Sequence, residues 1–582
     1  MAAKKADFES WSKEFHISTV LARILRNRDL TEKAEIEKFL YGSLKDCYSP
    51  WRLKDMEKAV EQILCAIHEE ITIRVIGDYD VDGICASYIL TKGLQILGAK
   101  ADTAIPHRIH DGYGLNDALI EEAHEDGVGL IVTCDNGIAA APQIELANSL
   151  GIKVIVTDHH EVPFSLVDGV KKENLPAALA VVDPKQEQCN YPFSGICGGV
   201  VAYKLMVALS EKVNSPVLDE ALEEFLEFAA FATVCDVMEL KDENRIIVKE
   251  GLKRLRETKN VGLRALMEVN ALESRKLSGY HLGFVLGPCL NATGRLDTAK
   301  RALELLQSQT KTAAYEAAKE LKELNDSRKN LTVKGVEAAE KYIEENHMVG
   351  DKVMVVYLPE VHESLAGIIA GRIRERYNHP TFVLTKGEEG VKGSGRSIEG
   401  YHMYEAMTEV KFLFTKFGGH AMAAGLSIAE EHVEDLRREL NARCKLQEED
   451  FVPKIHIDVP MPMEYATEQI ANELELLEPF GVGNPKPLFA QKELLFCAGY
   501  KMGANKSFAR FMVQTPDGQR KKLMYFGDLE KFGKFLEEKY GSGSEQALYA
   551  GRACLPVSVV YQLGMNTYMG KTEVQYVMQN YC

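Results

Sequence analysis

Residues 75–86 read VIGDYDVDGICA, an apolar run that ends in Asp78, Asp80 and Asp82 and is followed at once by Gly83. Carboxylates at alternate positions repel one another, so their placement directly after a hydrophobic segment needs a cause. The run ITIRVI (71–76) lacks polar alternation, as a strand buried on both faces does, and the SYILTKGLQIL that follows has helical periodicity. The stretch therefore reads as strand, acidic loop and helix. A calcium loop or a capped turn also fits an isolated D-x-D-x-D-G. Position twelve counted from Asp78 is Ile89, however, where a calcium loop needs glutamate, and a strand rather than a helix precedes it.

The same pattern recurs along the chain in ADTAIPH (101–107), GLIVTC (129–134), KVIVT (153–157) and ALAVV (178–182), separated by helical stretches such as NDALIEEAHED. This alternation predicts a parallel α/β sheet. Three of its strands run straight into GDYDVDG, CDNG and TDHH. Ligand sites of open α/β sheets lie off the carboxyl ends of the strands, so Asp78, Asp80, Asp82, Asp135, Asp158, His159 and His160 are expected to converge. Clustered carboxylates need positive charge among them, and a pair of divalent cations is the natural neutraliser. Carboxylate with imidazole favours Mn2+, then Mg2+ or zinc, and the absence of thiolates argues against a structural zinc site. Two cations sharing a bridging aspartate form the clamp used to hydrolyse phosphate esters, with water as nucleophile.

The 582 residues suggest three or four domains, and 46% hydrophobic with 27% charged residues is ordinary for a soluble globular protein. No stretch approaches the roughly 20 apolar residues of a membrane span, and the first residues lack an apolar signal core, so a cytoplasmic location is expected. The twelve cysteines contain no CxxC pair and are expected to be free thiols. A formal net charge of −17 disfavours nucleic-acid binding only as a sum. A local basic groove, with metals offsetting the carboxylate cluster, remains compatible with it.

The chain divides by pattern into an N-terminal segment without informative motif (1–45), a first α/β domain (46–240), a helical region with a long connecting helix (241–347), a second α/β unit (348–447) and a strand-rich tail (448–582). Within these, LDEALEEFLEFAAFATVCDVMEL is an apolar helix ending near Asp236, and glycine-rich GSGRS (393–397) suits a phosphate cradle or a tight turn, with Ser394 and Arg396 as donors. The tail carries turn signals at TPDGQ and EKYGSGS and resembles a small OB-type barrel. Its cations and aromatics interleave, and Phe508, Arg510, Lys521 and Tyr525 are candidate contacts to single-stranded nucleic acid.

GDYDVDG, CDNG, DHH and ATVCDVMEL resemble, in order and spacing, the four motifs of the DHH phosphoesterase superfamily. PCLNATGRLD (288–297), HESLAGIIAGRI (362–373), GSGRS and FGGHAMAAG (417–425) are similar to the further motifs of its branch that degrades single-stranded DNA from a 5′ end; the likeness runs to LEPFGVGNPKP (477–487). The resemblance implies Asp80 and Asp82 as metal ligands, Asp135 as the bridge, and His159 with Asp236 completing two sites; whether Asp78 is a ligand or a support is left open. It implies His160 as a donor to the scissile phosphate and Asp158 as an orienting or backbone-bonding group. Arg108, Arg295, Asn291, Ser394, Arg396 and His420 are implied at a 5′-phosphate and DNA site, the second α/β unit as a DHHA1 domain, and the tail as an OB-fold. The expected activity is a 5′ to 3′ single-strand exonuclease releasing 5′-mononucleotides in recombination and repair. It would use two divalent cations, Mn2+ preferred and Mg2+ possible, and act as a monomer on strands with a free 5′ end. Single-strand binding protein and a RecQ-type helicase are the implied partners, with no membrane. The alternatives are an oligoribonuclease, an adenosine bisphosphate phosphatase or a cyclic-dinucleotide phosphodiesterase of the shorter two-domain form, and a non-catalytic scaffold.

Overall fold

The computed structural model describes residues 4–582 except 108–113, 274, 388–389, 504 and 569. The catalytic unit is built on β1 (Ile73–Gly77), β2 (Ala101–Ala104), β3 (Leu130–Cys134) and β4 (Lys153–Thr157), then the short hairpin β5 (Phe164–Val167) and β6 (Val170–Glu173), then β7 (Ala180–Val182). Five of these strands form one sheet in the order β2-β1-β3-β4-β7, with every pairing parallel. All five were expected from apolar runs; the exposed β5–β6 hairpin was not, because its residues mix charged and apolar types without a buried face. Alternate residues feed two cores. Val75, Val132 and Val182 pack on the helices Val81–Ile96, Gly198–Val213 and Pro216–Cys235, while Ile76, Ile131 and Val156 pack on Asp117–Glu125 and Ala141–Ser149. Burial on both faces is what makes the strands continuously apolar.

A helical region follows, and its last element is a single helix, Lys311–Glu345, of 35 residues and about 52 Å. Its Ala314, Ala318 and Leu321 belong to the catalytic core, and its Ala339 and Ile343 to the core of the second α/β unit. One rigid element thus anchors both. That unit contains β8 (Met354–Tyr357), β9 (Thr381–Gly387), β10 (Gly390–Arg396), β11 (Phe414–Gly419) and β12 (Ala423–Ile428), in the order β11-β12-β10-β9-β8.

Here the expected glycine cradle is corrected. GSGR is not a turn but part of the central strand β10, bonded to β9 on one side and β12 on the other. Its glycines serve packing: a Cβ at Gly393 would stand 2.2 Å from Leu384 Cδ2, and one at Gly395 2.5 Å from Met403 Sδ.

The tail is a closed barrel of β13 (Phe489–Met502), β14 (Phe508–Gln514), β15 (Arg520–Tyr525), β16 (Leu555–Tyr568) and β17 (Lys571–Tyr581), in the order β13-β14-β15-β17-β16. Its core of Phe489, Phe496, Phe511 and Tyr561 is continuous with Phe15, Leu21, Ile24 and Leu40 from the N-terminal helices. Those first residues carry no motif because their work is to bury apolar surface against a barrel more than 400 positions away: Asn27 Nδ2, for example, donates to Asp458 O at 2.8 Å. Arg245 ties this assembly to the catalytic unit. Its side chain is 1% exposed, donates to the carbonyls of Phe39, Leu477 and Leu476 at 2.8, 2.8 and 2.7 Å, and lies 3.9 Å from the Phe39 ring.

Candidate metal centre

The carboxyl ends of β1, β3 and β4 bring their loops together with the C-terminus of helix Pro216–Cys235, where Asp236 is the cap. His159 Nε2 lies 3.0 Å from Asp135 Oδ1, 3.5 Å from Asp82 Oδ2 and 3.7 Å from Asp236 Oδ2. Three overlapping sets have ligand atoms within 4.8 Å of one another: Asp82, His159 and Asp236; Asp78, Asp80 and Asp135; Asp135, His159 and His160. Asp135 and His159 each occur in two of the sets. Asp78, which spacing left open, belongs to the ligand-capable group and is 3% exposed.

Local backbone geometry fixes these side chains. Asp80 caps helix Val81–Ile96, its Oδ1 accepting from Asp82 N at 2.8 Å and Gly83 N at 3.2 Å. The cap engages Oδ1, and the other oxygen makes no capping bond. Gly83 allows the helix to start hard against Asp78, whose carbonyl would be 2.4 Å from a Cβ there. Asp135 holds a left-handed backbone at φ 60°, a conformation costly for a β-carbon residue and concentrated at functional sites. Asp82 accepts from Gly198 N and Gly199 N at 2.8 and 2.7 Å, the amides opening helix Gly198–Val213. A Cβ on Gly198 would meet Asp135 Cβ at 2.7 Å. These two glycines were missed in the sequence; the signal was the GG pair of ICGGV at a helix start.

Asp158 does both things expected of it: Oδ1 bonds His160 Nδ1 at 2.7 Å and the amides of His159 and His160, and Oδ2 accepts from Ile138 N at 2.9 Å. It belongs to none of the three ligand-capable sets. A third missed residue is Asp183, fully buried at the end of β7, a fourth strand edge that ends in aspartate.

Electrostatics show that the chain alone does not balance this cluster. Burial, then repulsion from Asp82, lifts Asp236 to about 8; burial with Asp82, Asp80 and Asp78 holds Asp135 well above the carboxylate range, and burial with Asp82 raises Asp80. Burial opposes the charge on His160, but its bond to Asp158 outweighs this and raises it to about 9, whereas burial lowers His159. Buried, mutually repelling carboxylates beside a neutral imidazole, without thiolate, are the donor set of hard divalent cations, so the residues present fit such ions.

A pH dependence follows. Between the ordinary 3.8 and about 8, folded Asp236 holds a proton that the unfolded chain has lost, and His160 behaves likewise between 6.5 and about 9. Stability of the metal-free protein therefore falls as pH rises through this range, and Mn2+, which requires the deprotonated carboxylates, stabilises most at its upper end. Thermal melts in EDTA and in Mn2+ at pH 6 and pH 8 check this. A metal-free protein more stable at pH 8 than at pH 6 contradicts it.

Of the remaining candidates, Arg295, Ser394 and Arg396 are brought together. Arg295 Nη1 donates to Ser364 O at 2.8 Å, Arg396 Nη1 to Ser394 Oγ at 3.1 Å, and a Cβ on Gly367 would be 2.8 Å from Arg396 Nη2. The group is close to the metal loop, since a Cβ on Gly294 would meet Tyr79 O at 2.8 Å. Asn291 is half-buried on the same helix, Gly287–Leu296. His420 is exposed in the turn between β11 and β12. Arg108 lies outside the described residues. On the barrel, Phe508, Arg510 and Lys521 are partly exposed, but Tyr525 is corrected to a core residue, 6% exposed against Phe532, because β15 turns it inward. The outer face instead presents Tyr500 under the Arg510 guanidinium, and Phe508 against the exposed Phe526.

Fold and site define a DHH-type metal-dependent phosphoesterase: the DHH family N-terminal domain matches residues 72–233, the DHHA1 domain 350–446 and the RecJ OB domain 457–580. The single-stranded-DNA-specific exonuclease RecJ of Escherichia coli is 33% identical over 591 residues, covering 96% of this chain and 95% of that protein. The chain belongs to the RecJ family of single-stranded-DNA-specific exonucleases, whose members are metal-dependent hydrolases. The Bacillus subtilis RecJ is 35% identical over 515 residues, 88% of this chain, which spans only 63% of that relative's length. Crystal structures of Thermus thermophilus RecJ in complex with Mn2+ and with Mg2+ align with TM-scores of 0.80 and 0.73 at 26% identity, over 99% of this chain and 77% and 76% of theirs. The OB domain and these relatives support the exonuclease and set aside the shorter phosphatase-type alternatives. Among the described residues, no helix is long and apolar enough to cross a membrane.

Proposed function

We propose that this chain is a 5′ to 3′ exonuclease that removes mononucleotides from single-stranded DNA in recombination and repair, using two divalent cations, Mn2+ by preference. Asp78, Asp80, Asp82, Asp135, His159 and Asp236 would hold the cations, with Asp135 between them. Bound there, the ions supply Lewis-acid polarisation of the scissile phosphate and activation of the attacking water. The chain's own groups do the rest. His160, kept protonated by Asp158, donates to a phosphate oxygen as charge develops. Asp82 is held in register by the Gly198 and Gly199 amides.

One observation supports the polarity: the group of Arg295, Ser394 and Arg396 lies beside the loop that bears Asp78, Asp80 and Asp82, where a Cβ on Gly294 would be 2.8 Å from Tyr79 O. Two guanidiniums and a serine hydroxyl suit a terminal phosphate dianion, which a continuous strand lacks. With the terminus fixed there, the first phosphodiester reaches the metal centre. His420 and the outer barrel strip of Tyr500, Phe508 and Arg510 would hold the strand beyond, Arg510 and the rings combining phosphate attraction with base stacking. We assign the five-part division of the chain to this scheme, acting as a cytoplasmic monomer served by a single-strand binding protein and a helicase.

The test compares a linear strand carrying a 5′-phosphate, the same strand with a 5′-hydroxyl, and a circle. The unaltered chain is expected to degrade the first fastest and leave the circle intact. Arg396→Ala should raise KM for the phosphorylated strand by about 30-fold or more and erase its advantage over the hydroxyl form. An Arg396→Ala enzyme that keeps the phosphate preference would refute this pocket.

A further inference from the structure

Cys497 and Cys554 are 57 positions apart in the chain, yet Cys554 Sγ donates to Cys497 Sγ at 3.0 Å. Both are free thiols, Cys497 half-buried and Cys554 exposed. The strand ladder explains the meeting. β13 and β16 run antiparallel with Leu495 opposite Pro556 and Phe496 opposite Leu555, so the next pair along is Cys497 and Cys554. Residues directly opposite in such a ladder have Cα atoms roughly 4.5–5.5 Å apart, within the roughly 4.4–6.8 Å that a disulfide spans. Cys497 is also the extra residue of a bulge, since against β14 Phe496 faces Val513 and Ala498 faces Met512. Bulges re-aim side chains, and here Phe496 fills the barrel core while the next side chain, Cys497, reaches the surface.

The pair stands where a helical excursion rejoins the barrel. Between β15 and β16 the chain forms helices Leu529–Tyr540 and Ser544–Tyr549 and returns at Leu555. This return is held on β13 by Lys501 Nζ, 3.3 Å from Glu545 Oε1, and by Tyr549, whose ring carbon Cδ1 a Cβ on Gly499 would meet at 2.8 Å. A covalent link from Cys554 to Cys497 closes a loop that contains both helices, and a cross-link over a long loop constrains the unfolded chain most. Burial, then the neighbouring thiol, pushes Cys497 up to about 11, so it keeps its proton; exposed Cys554 is the sulfur that solutes reach first.

We propose that Cys497 and Cys554 are a site of reversible oxidation, at which hydrogen peroxide converts the two thiols into a disulfide that clamps the helical excursion onto the barrel. The Cys554 thiolate attacks one peroxide oxygen, the O–O bond breaks, and a sulfenic acid and hydroxide form. The Cys497 sulfur then attacks the Cys554 sulfur, the S–O bond breaks, and the departing hydroxide takes up the Cys497 proton as water. In sum, two thiols and one hydrogen peroxide give one disulfide and two waters, the sulfurs losing the two electrons that the peroxide gains. A dithiol reductant restores both thiols. In a reducing compartment the pair rests reduced, so the link forms only when oxidant rises. Neither cysteine belongs to a ligand-capable set of the metal centre, so the clamp acts on the barrel.

The full chain is treated with hydrogen peroxide and its peptides are mapped without reduction. A peptide pair joined through Cys497 and Cys554, two hydrogens lighter than the separate thiols and released by dithiothreitol, is expected. Calorimetry should show the transition of the barrel rising by about 5 °C on oxidation and falling back on reduction. Cys554→Ser should abolish both changes, while melting like the reduced unaltered chain and matching its activity. Three results overturn the proposal: thiols that stay separately alkylatable under peroxide that oxidises the exposed Cys65, a link from Cys554 to Cys582 or to a second chain instead, and a Cys497–Cys554 link that leaves the melting temperature unchanged.

Discussion

Asp135→Asn is expected to lower exonuclease turnover in Mn2+ by at least about a thousand-fold while raising the melting temperature of the metal-free protein. Both effects come from one arrangement. Asp135 shares ligand-capable sets with Asp78 and Asp80 on one side and with His159 on the other, so its loss would disable two sites, where losing an outer-shell partner costs only about 10–100-fold. In the absence of cations the same carboxyl is buried among Asp82, Asp80 and Asp78 and is held well above the carboxylate range, which measures how far the fold resists its charge. An amide of the same shape removes that repulsion. Single-turnover kinetics in Mn2+ and thermal melts in EDTA read the two effects separately. A variant with near-native turnover would remove Asp135 from the centre; one that melts lower without metal would show that its role is structural.

Arg245→Met should destabilise the unit containing the barrel and the N-terminal helices by about 3 kcal/mol, lowering its melting temperature by about 6–12 °C. Among the described residues no carboxylate forms a salt bridge with Arg245; burial lowers its guanidinium to about 9, against the weaker attraction of Glu478. It is held instead by the carbonyls of Phe39, Leu476 and Leu477, which methionine would leave unsatisfied. Those acceptors come from the first 45 residues and from the LEPF segment, so the planar fork joins three distant stretches, and lysine, with a point charge, is no substitute. Calorimetry of the full chain should show a lowered or newly separated transition. An unchanged melting profile would reduce Arg245 to a passive filler.

The metal loops were legible because strands buried on both faces are written as continuous apolar runs, and a cluster of acids at their ends has few structural excuses. Asp78, Asp80, Asp82, Asp135, Asp158, His159 and His160 all fall where those runs placed them. Asp183 was legible on the same rule, as a fourth run ending in aspartate, and was passed over. Gly393 and Gly395 misled: glycine in a short GSG reads as a turn, but here it marks a central strand whose facing space Leu384 and Met403 already fill. Tyr525 was assigned to the outer surface because cation and ring interleave along the segment without revealing which parity faces inward.

By itself, the sequence determined the parallel sheet, its acidic edge and hence the divalent-metal chemistry, since these depend on periodicity and residue type over short windows. Only the tertiary structure decided that Asp78 falls in a ligand-capable set with Asp135, that Gly198 and Gly199 hold Asp82, that Arg295 bonds the Ser364 carbonyl, and that residues 1–45 complete the barrel's core. Each of these is a contact between segments far apart in the chain. Such contacts are chosen by packing and by the satisfaction of buried polar groups, and neither leaves a local pattern to read.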